Sequence, residues 1–142
     1  MKKFDYIIYV EGGYNKNVNL GAYAVIVING RTLEIKEERT ELIRDTNSAR
    51  IYLDAIKDVI DKLPFGASVQ IRCDAEYAVY VLNGRYRAKK NIDVIGRIWN
   101  TTRVMEIEAD YLWCSEQHGD IFVSKCWDLS RGALADGIAN LE

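Results

Sequence analysis

The stretch Phe4–Asn15, FDYIIYVEGGYN, decides how the rest of the chain is read. Tyr6, Ile7, Ile8 and Tyr9 run into Val10 without a polar interruption, the pattern of a strand covered on both faces at mid-sheet. Glu11 stands where the apolar run ends, so a buried scaffold would carry its carboxylate to the sheet edge. Gly12-Gly13 predicts a sharp turn and leaves room for close approach of a ligand. A single Glu-Gly-Gly is equally what a strand ending in a polar turn would show. A functional reading of Glu11 therefore rests on other carboxylates arriving from distant parts of the chain.

Outward from this stretch the elements follow in a definite order. Tyr14–Asn19 is a polar loop, and Leu20–Asn29 (LGAYAVIVIN) reads as a second strand closed by the hairpin signal Asn29-Gly30. Arg31–Glu41 alternates as an edge strand, with Glu37-Glu38-Arg39 on its solvated face. Thr46-Asn47-Ser48 offers helix-cap residues, and Ile51, Ala55, Ile56, Val59, Ile60 and Leu63 recur at helical spacing before Pro64 and Gly66. Ala67–Cys73 alternates as a fourth strand and delivers Asp74 at its end. A short helix over Ala75–Leu82, a basic loop with Arg85, Arg87, Lys89 and Lys90, and a helix over Asn91–Thr102 come next. Val104–Cys114 alternates as a fifth strand. Ser115–Asp128, which holds His118, is read as a loop, and Leu129–Leu141 as a terminal helix. The order βββ-α-β-α-α-β-α predicts a mixed α/β sheet with helices on its faces.

The composition bounds what such a domain does. A chain of 142 residues with 49% hydrophobic residues fits one domain, 1–142, with its own core. No apolar run is long enough to span a bilayer, and Met1–Asp5 does not read as a signal peptide. Cys73, Cys114 and Cys126 form neither a paired set nor a CxxC pattern, which points to a reducing, cytoplasmic setting. The net charge of −2 gives no global attraction to polyanions, so a nucleic-acid partner would have to be met by a local basic patch or through metal ions.

If the first and fourth strands are adjacent and parallel, Glu11 and Asp74 share the carboxyl edge of the sheet, where ligands of such sheets bind. Asp136 joins them if the last helix packs across that edge. Three carboxylates at one spot repel unless a divalent cation lies among them, and such a set is the protein half of a two-metal phosphoryl-transfer site. Taken alone, Asp74 is equally a helix N-cap for Ala75–Leu82.

In these segments the chain resembles the ribonuclease H family over nearly its whole length. Val10-Glu11-Gly12-Gly13-Tyr14-Asn15 stands where that family ends its first strand in Asp-Gly-Ser, and Leu20-Gly21-Ala22-Tyr23-Ala24-Val25 resembles its second strand. Thr46-Asn47-Ser48 is similar to its Thr-Asn-Asn helix opening, and Cys73–Val79 to its Asp-Ser-Gln-Tyr-Val segment. Lys90-Asn91-Ile92-Asp93-Val94 is similar to Lys-Asn-x-Asp-Leu, and Ala135-Asp136-Gly137-Ile138-Ala139 to Ala-Asp-x-Leu-Ala.

The resemblance implies a five-stranded mixed sheet, three antiparallel strands followed by two parallel ones. It further implies metal-dependent cleavage of the RNA strand of RNA/DNA hybrids, with Mg²⁺ or Mn²⁺ held by Glu11, Asp74, Asp136 and the Gly12 carbonyl, and His118 aiding proton transfer and product release. Nucleic acid would be met by Asn15, Asn47, Ser48, Glu76, Arg85, Arg87, Lys89 and Lys90. No organic cofactor and no membrane partner are implied.

The departures from the pattern bear on activity. The first family Asp is Glu11 here, one methylene longer. The helix-borne family Glu, counted five residues beyond Thr46, falls on Ile51, which cannot ligate a metal. Asp54, one turn on, lies too deep along the helix to substitute. Glu76 sets a negative charge where the family has a groove-contacting Gln. The alternative expectation is accordingly a ribonuclease H-like nucleic-acid-binding or regulatory module that has kept the scaffold and lost the chemistry.

Overall fold

The computed structural model describes residues 3–115 and 120–141. Its elements in chain order are β1 (Tyr6–Asn15), β2 (Leu20–Asn29), β3 (Ile35–Arg44), α1 (Ser48–Asp61), β4 (Ser68–Cys73), α2 (Glu76–Leu82), α3 (Ile92–Val104), β5 (Glu108–Trp113) and α4 (Ile121–Ala139). The five strands form one sheet in the order β3-β2-β1-β4-β5. β1–β2 and β2–β3 pair antiparallel, whereas β1–β4 and β4–β5 pair parallel. This is the expected α/β architecture, and β1 is its central strand.

Alternation along β1 divides the core between the two faces. Ile8 and Val10 pack with Leu53, Ile56 and Ile60 of α1 and with residues of α2 and α3. Tyr9 points the other way, into a smaller core with Ala24, Ile26, Val123 and Cys126 beneath α4. Helices therefore cover both faces. Each fully buried Ile or Leu contributes about 1.5–3 kcal/mol from removal of apolar surface from water. Among the described residues no helix is long and apolar enough to cross a membrane.

Caps and long-range hydrogen bonds fix where the helices sit. Asn47 is the N-cap of α1, its side chain accepting from the Arg50 amide at 3.0 Å, as the Thr-Asn-Ser signal predicts. Asp120 caps α4 by accepting from the Phe122 amide at 2.9 Å. The other carboxylate oxygen of Asp120 accepts from the Tyr9 hydroxyl at 2.5 Å, and Arg72 donates to the Tyr9 oxygen at 2.7 Å. One carboxylate thereby ties the start of α4 to both β1 and β4.

Four sequence expectations are corrected. Gly12-Gly13 is not a turn: β1 runs through both to Asn15, with Gly12 opposite Tyr23 and Gly13 opposite Ala22. The stretch from Val104 is not strand at its start, because α3 continues to Val104 and the chain reverses at Glu106, whose φ of 51° is left-handed. The last helix begins at Ile121 rather than Leu129, because the Asp120 cap starts it eight residues earlier than the apolar pattern suggests. β3 likewise lies a few residues later than its alternation indicates, at Ile35–Arg44.

Candidate functional site at the end of β1

Parallel pairing places Val10 opposite Cys73, so Glu11 and Asp74 follow at the same edge of adjacent strands. That much of the expected convergence is present. The two side chains nevertheless have different surroundings. Glu11 is only 2% exposed, with its Oε2 accepting from the Tyr52 hydroxyl at 3.1 Å. Asp74 is exposed and accepts from the indole Nε1 of Trp113 at 3.0 Å. It does not cap α2, whose N-cap is Ala75.

The α1 residue that faces Glu11 is Tyr52, one position beyond the counted Ile51. Ile51 turns into the core, 1% exposed, and is wedged against two strands. A Cβ on Gly12 would lie 2.6 Å from its Cγ2, and a Cβ on Gly21 would lie 2.5 Å from its Cδ1. The two glycines form the socket for this one side chain. Tyr52 stands over the end of β1, its hydroxyl also 3.4 Å from the Gly12 carbonyl oxygen. A phenol with one proton serves only one of these acceptors at a time. Burial, followed by the adjacent Glu11, pushes the Tyr52 phenol well above its ordinary value, so it remains a neutral donor.

Asp136 does not reach this edge. It lines a shallow surface cleft with Thr40, Glu41 and Leu42 of β3. The α4 residue that lies against the end of β1 is Arg131: a Cβ on Gly13 would stand 2.5 Å from its Nη1. Five further residues of helix carry Asp136 about 7.5 Å along the axis. Asp54 is held by Arg50 at 3.2 Å. His118 lies outside the described residues. Among the described residues, no three His, Cys, Asp or Glu side chains gather closely enough to hold a metal ion. Among the described residues the donor set at the strand end thus does not fit a divalent ion pair: one carboxyl is buried under a tyrosine, and the α4 side chain beside Gly13 is a cation.

The expected nucleic-acid contacts divide into two neighbourhoods around the start of α1. Asn47, Tyr77, Tyr86, Arg87, Lys89 and Lys90 line an open groove of roughly 840 Å³, whose surface is largely apolar between basic groups. Arg85 lies over the ring of Tyr80 at 5.8 Å, and Tyr80 meets Tyr86 edge-on at 5.2 Å. Ser48 instead lines a second cleft of roughly 260 Å³ with Gly12, Gly13, Tyr14, Tyr52 and Arg131. Asn15 is engaged with its own loop, accepting from the Asn17 amide at 2.9 Å. Glu76 is exposed in the first turn of α2, where a negative charge favours the helix.

Sequence reasoning did not single out Tyr52 or Arg131. Tyr52 is a polar tip beside an apolar helical stripe. Arg131 stands one turn beyond Trp127, and the guanidinium lies over that ring at 4.8 Å. Those are the only local signals either residue gives.

No protein-family model matches the sequence, and no curated protein matches it. Solved structures do. The chain is similar to the N-terminal RNase H domain of a Mycobacterium tuberculosis protein, at 16% identity and a TM-score of 0.76, covering 95% of this chain and 99% of that one. It is similar to LC11-RNase H1 in complex with an RNA/DNA hybrid, at 16% identity and a TM-score of 0.73 over 94% and 99% of the two chains. It is also similar to RNase H1 of the halophilic archaeon Halobacterium salinarum, at 14% identity and a TM-score of 0.70 over 92% and 98%. The chain has the ribonuclease H fold.

Proposed function

We propose that this ribonuclease H fold serves as a nucleic-acid-binding module and that the end of β1 does not carry out two-metal hydrolysis. The observation that carries the reading is the pairing of Glu11 with Tyr52. A carboxyl 2% exposed and bonded to a neutral phenol is withdrawn from the surface where a scissile phosphate would lie. No step of hydrolysis is assigned to Mg²⁺ or Mn²⁺, because the ligand set does not fit them.

Support for binding comes from the groove beside α1. Exposed Arg87, Lys89 and Lys90 supply local positive charge to a chain whose net charge is −2, and Tyr77 and Tyr86 supply faces on which bases stack. A structural neighbour was solved with an RNA/DNA hybrid bound, which makes such a hybrid the first ligand to offer.

The test is hybrid binding by fluorescence anisotropy at several salt concentrations, run beside a cleavage assay in Mg²⁺ and in Mn²⁺. The expected result is binding that weakens with salt and falls in a Lys89→Gln/Lys90→Gln variant, without cleavage. Cleavage that disappears in Asp74→Asn would overturn this reading in favour of a metal-dependent nuclease using Glu11 and Asp74.

A further inference from the structure

We propose that the cleft between Gly12-Gly13, the start of α1 and Arg131 is a phosphate-binding site, with the Arg131 guanidinium as its fixed cation. That the phosphate belongs to a nucleic-acid strand rests on the reading above; the site itself does not.

Arg131 is pre-positioned and chemically unspent. One face of its guanidinium lies over the Trp127 ring at 4.8 Å, and its edge lies against Gly13, where any Cβ would come within 2.5 Å of Nη1. Its Nε is buried without a hydrogen-bond partner. Three other arginines are paired with carboxylates, Arg39 with Asp58, Arg50 with Asp93 and Arg72 with Asp120, although the Nε of Arg39 is likewise buried without a partner. A buried N–H donor left unmade costs about 1–3 kcal/mol, a cost that a small shift of the Arg131 side chain towards an oxyanion in the cleft it lines would relieve. A planar fork already held in place matches the paired oxygens of a phosphate.

The cleft suits that ligand in size and lining. Its volume of roughly 260 Å³ is below the range of about 300–1,000 Å³ typical of drug-sized ligands. Ser48 brings a hydroxyl, and as the first residue of α1 it also brings an amide with no intrahelical acceptor. The Tyr14 hydroxyl is already donating to Asn19 at 2.9 Å, which leaves its oxygen as an acceptor only. Glu11, the negative group nearest along β1, does not line the cleft. Ser48 lines this cleft while Asn47 and Ala49 line the basic groove, so one strand crossing the start of α1 reaches both.

The test uses the full chain, ¹⁵N-labelled, with inorganic phosphate as one probe and a short RNA/DNA hybrid as the other, against chloride at matched ionic strength. Phosphate is expected to shift the Arg131 Nε–H signal and the Gly13 and Ser48 amides. Arg131→Gln should abolish the amide shifts, and Arg131→Lys, which keeps charge without the fork, should reduce them. In Lys89→Gln/Lys90→Gln the phosphate shifts should persist. For the hybrid, Arg131→Gln should lower the log–log salt slope by about 0.9, the release expected for one phosphate contact.

Absence of these shifts in the wild type, or their survival in Arg131→Gln, overturns the site. Should Arg131→Gln not fold, the wild-type Nε–H response decides alone. Phosphate shifts with no hybrid binding support the site and overturn the nucleic-acid reading. Hybrid binding with an unchanged salt slope in Arg131→Gln overturns the assignment of the phosphate to a strand.

Discussion

The Tyr52 hydroxyl donates to the Glu11 carboxyl across 3.1 Å, beneath a surface that leaves Glu11 2% exposed. The pair joins the first turns of α1 to the end of β1 and withdraws Glu11 from the edge, where Asp74 remains exposed. Tyr52→Phe takes one donor from a buried carboxyl while keeping the ring. A loss of about 1–3 kcal/mol in urea unfolding is expected. Tyr52→Glu sets a second carboxyl beside Glu11. That variant is expected to be less stable in EDTA and to regain stability in millimolar Mn²⁺, whereas the wild-type melting temperature stays unchanged by the metal. A wild type that Mn²⁺ stabilises would contradict the closed-site description.

The socket for Ile51 gives a second measurement. Gly12→Ala forces a Cβ to 2.6 Å from the Ile51 Cγ2, and Ile51 is walled in on all sides. Overpacking of this kind costs about 1–3 kcal/mol, and Ile51→Ala alone about 2–5 kcal/mol. The double variant should cost clearly less than the sum, because truncating Ile51 vacates the space the new methyl takes. Additive effects in a double-mutant cycle would show that Gly12 and Ile51 are not in contact.

Acid stability should report the fork between α1 and α3. Arg50 donates to both oxygens of Asp93, at 2.8 and 2.9 Å. These hydrogen bonds, chiefly, hold the Asp93 carboxyl down at about 2 against an ordinary 3.8. A lowered folded-state value means stability present above pH ~4 and lost as pH falls towards 2. Asp93→Asn should flatten that limb of the melting curve, and 1 M salt should shrink the difference because Asp93 is fully exposed. Asp54, the other partner of Arg50, is shifted upward because burial outweighs the guanidinium. A raised folded-state value acts above pH ~4, where it adds stability as pH falls; Asp54→Asn should remove that gain and leave the limb between about pH 4 and 2 to Asp93.

Alkaline behaviour should follow Cys73. Burial pushes its thiol up to about 12 from an ordinary 9.0. Native protein at pH 8 should leave Cys73 unmodified by iodoacetamide, with labelling by mass spectrometry appearing only on unfolding. With the folded value raised, the unfolded thiol ionises first, so stability declines between about pH 9 and 12. Cys73→Ser should reduce that decline. Rapid alkylation of Cys73 in the folded protein would contradict its burial.

Local chemistry was readable in advance wherever the signal was periodic or short-range. The apolar run of β1 covered on both faces, the apolar stripe of α1 and the Asn47 cap all depend on neighbours a few residues away, and each is found where the pattern put it. From these, the order of elements and the five-stranded sheet follow, and with them the shared edge of Glu11 and Asp74. Tertiary packing decided the rest. Gly12 and Gly13 look like a turn in sequence, yet they are strand residues kept small for Ile51 and Arg131, side chains that arrive from elsewhere in the chain. Whether Ile51 or Tyr52 meets Glu11 depends on how α1 is rotated against the sheet, and one residue of helix changes that direction by about 100°. Whether Asp136 or Arg131 lies at the strand end depends on where Asp120 pins the start of α4. The sequence set the strand that carries Glu11; helix rotation determined that a phenol meets Glu11, and helix start that a guanidinium rather than Asp136 lies beside Gly13.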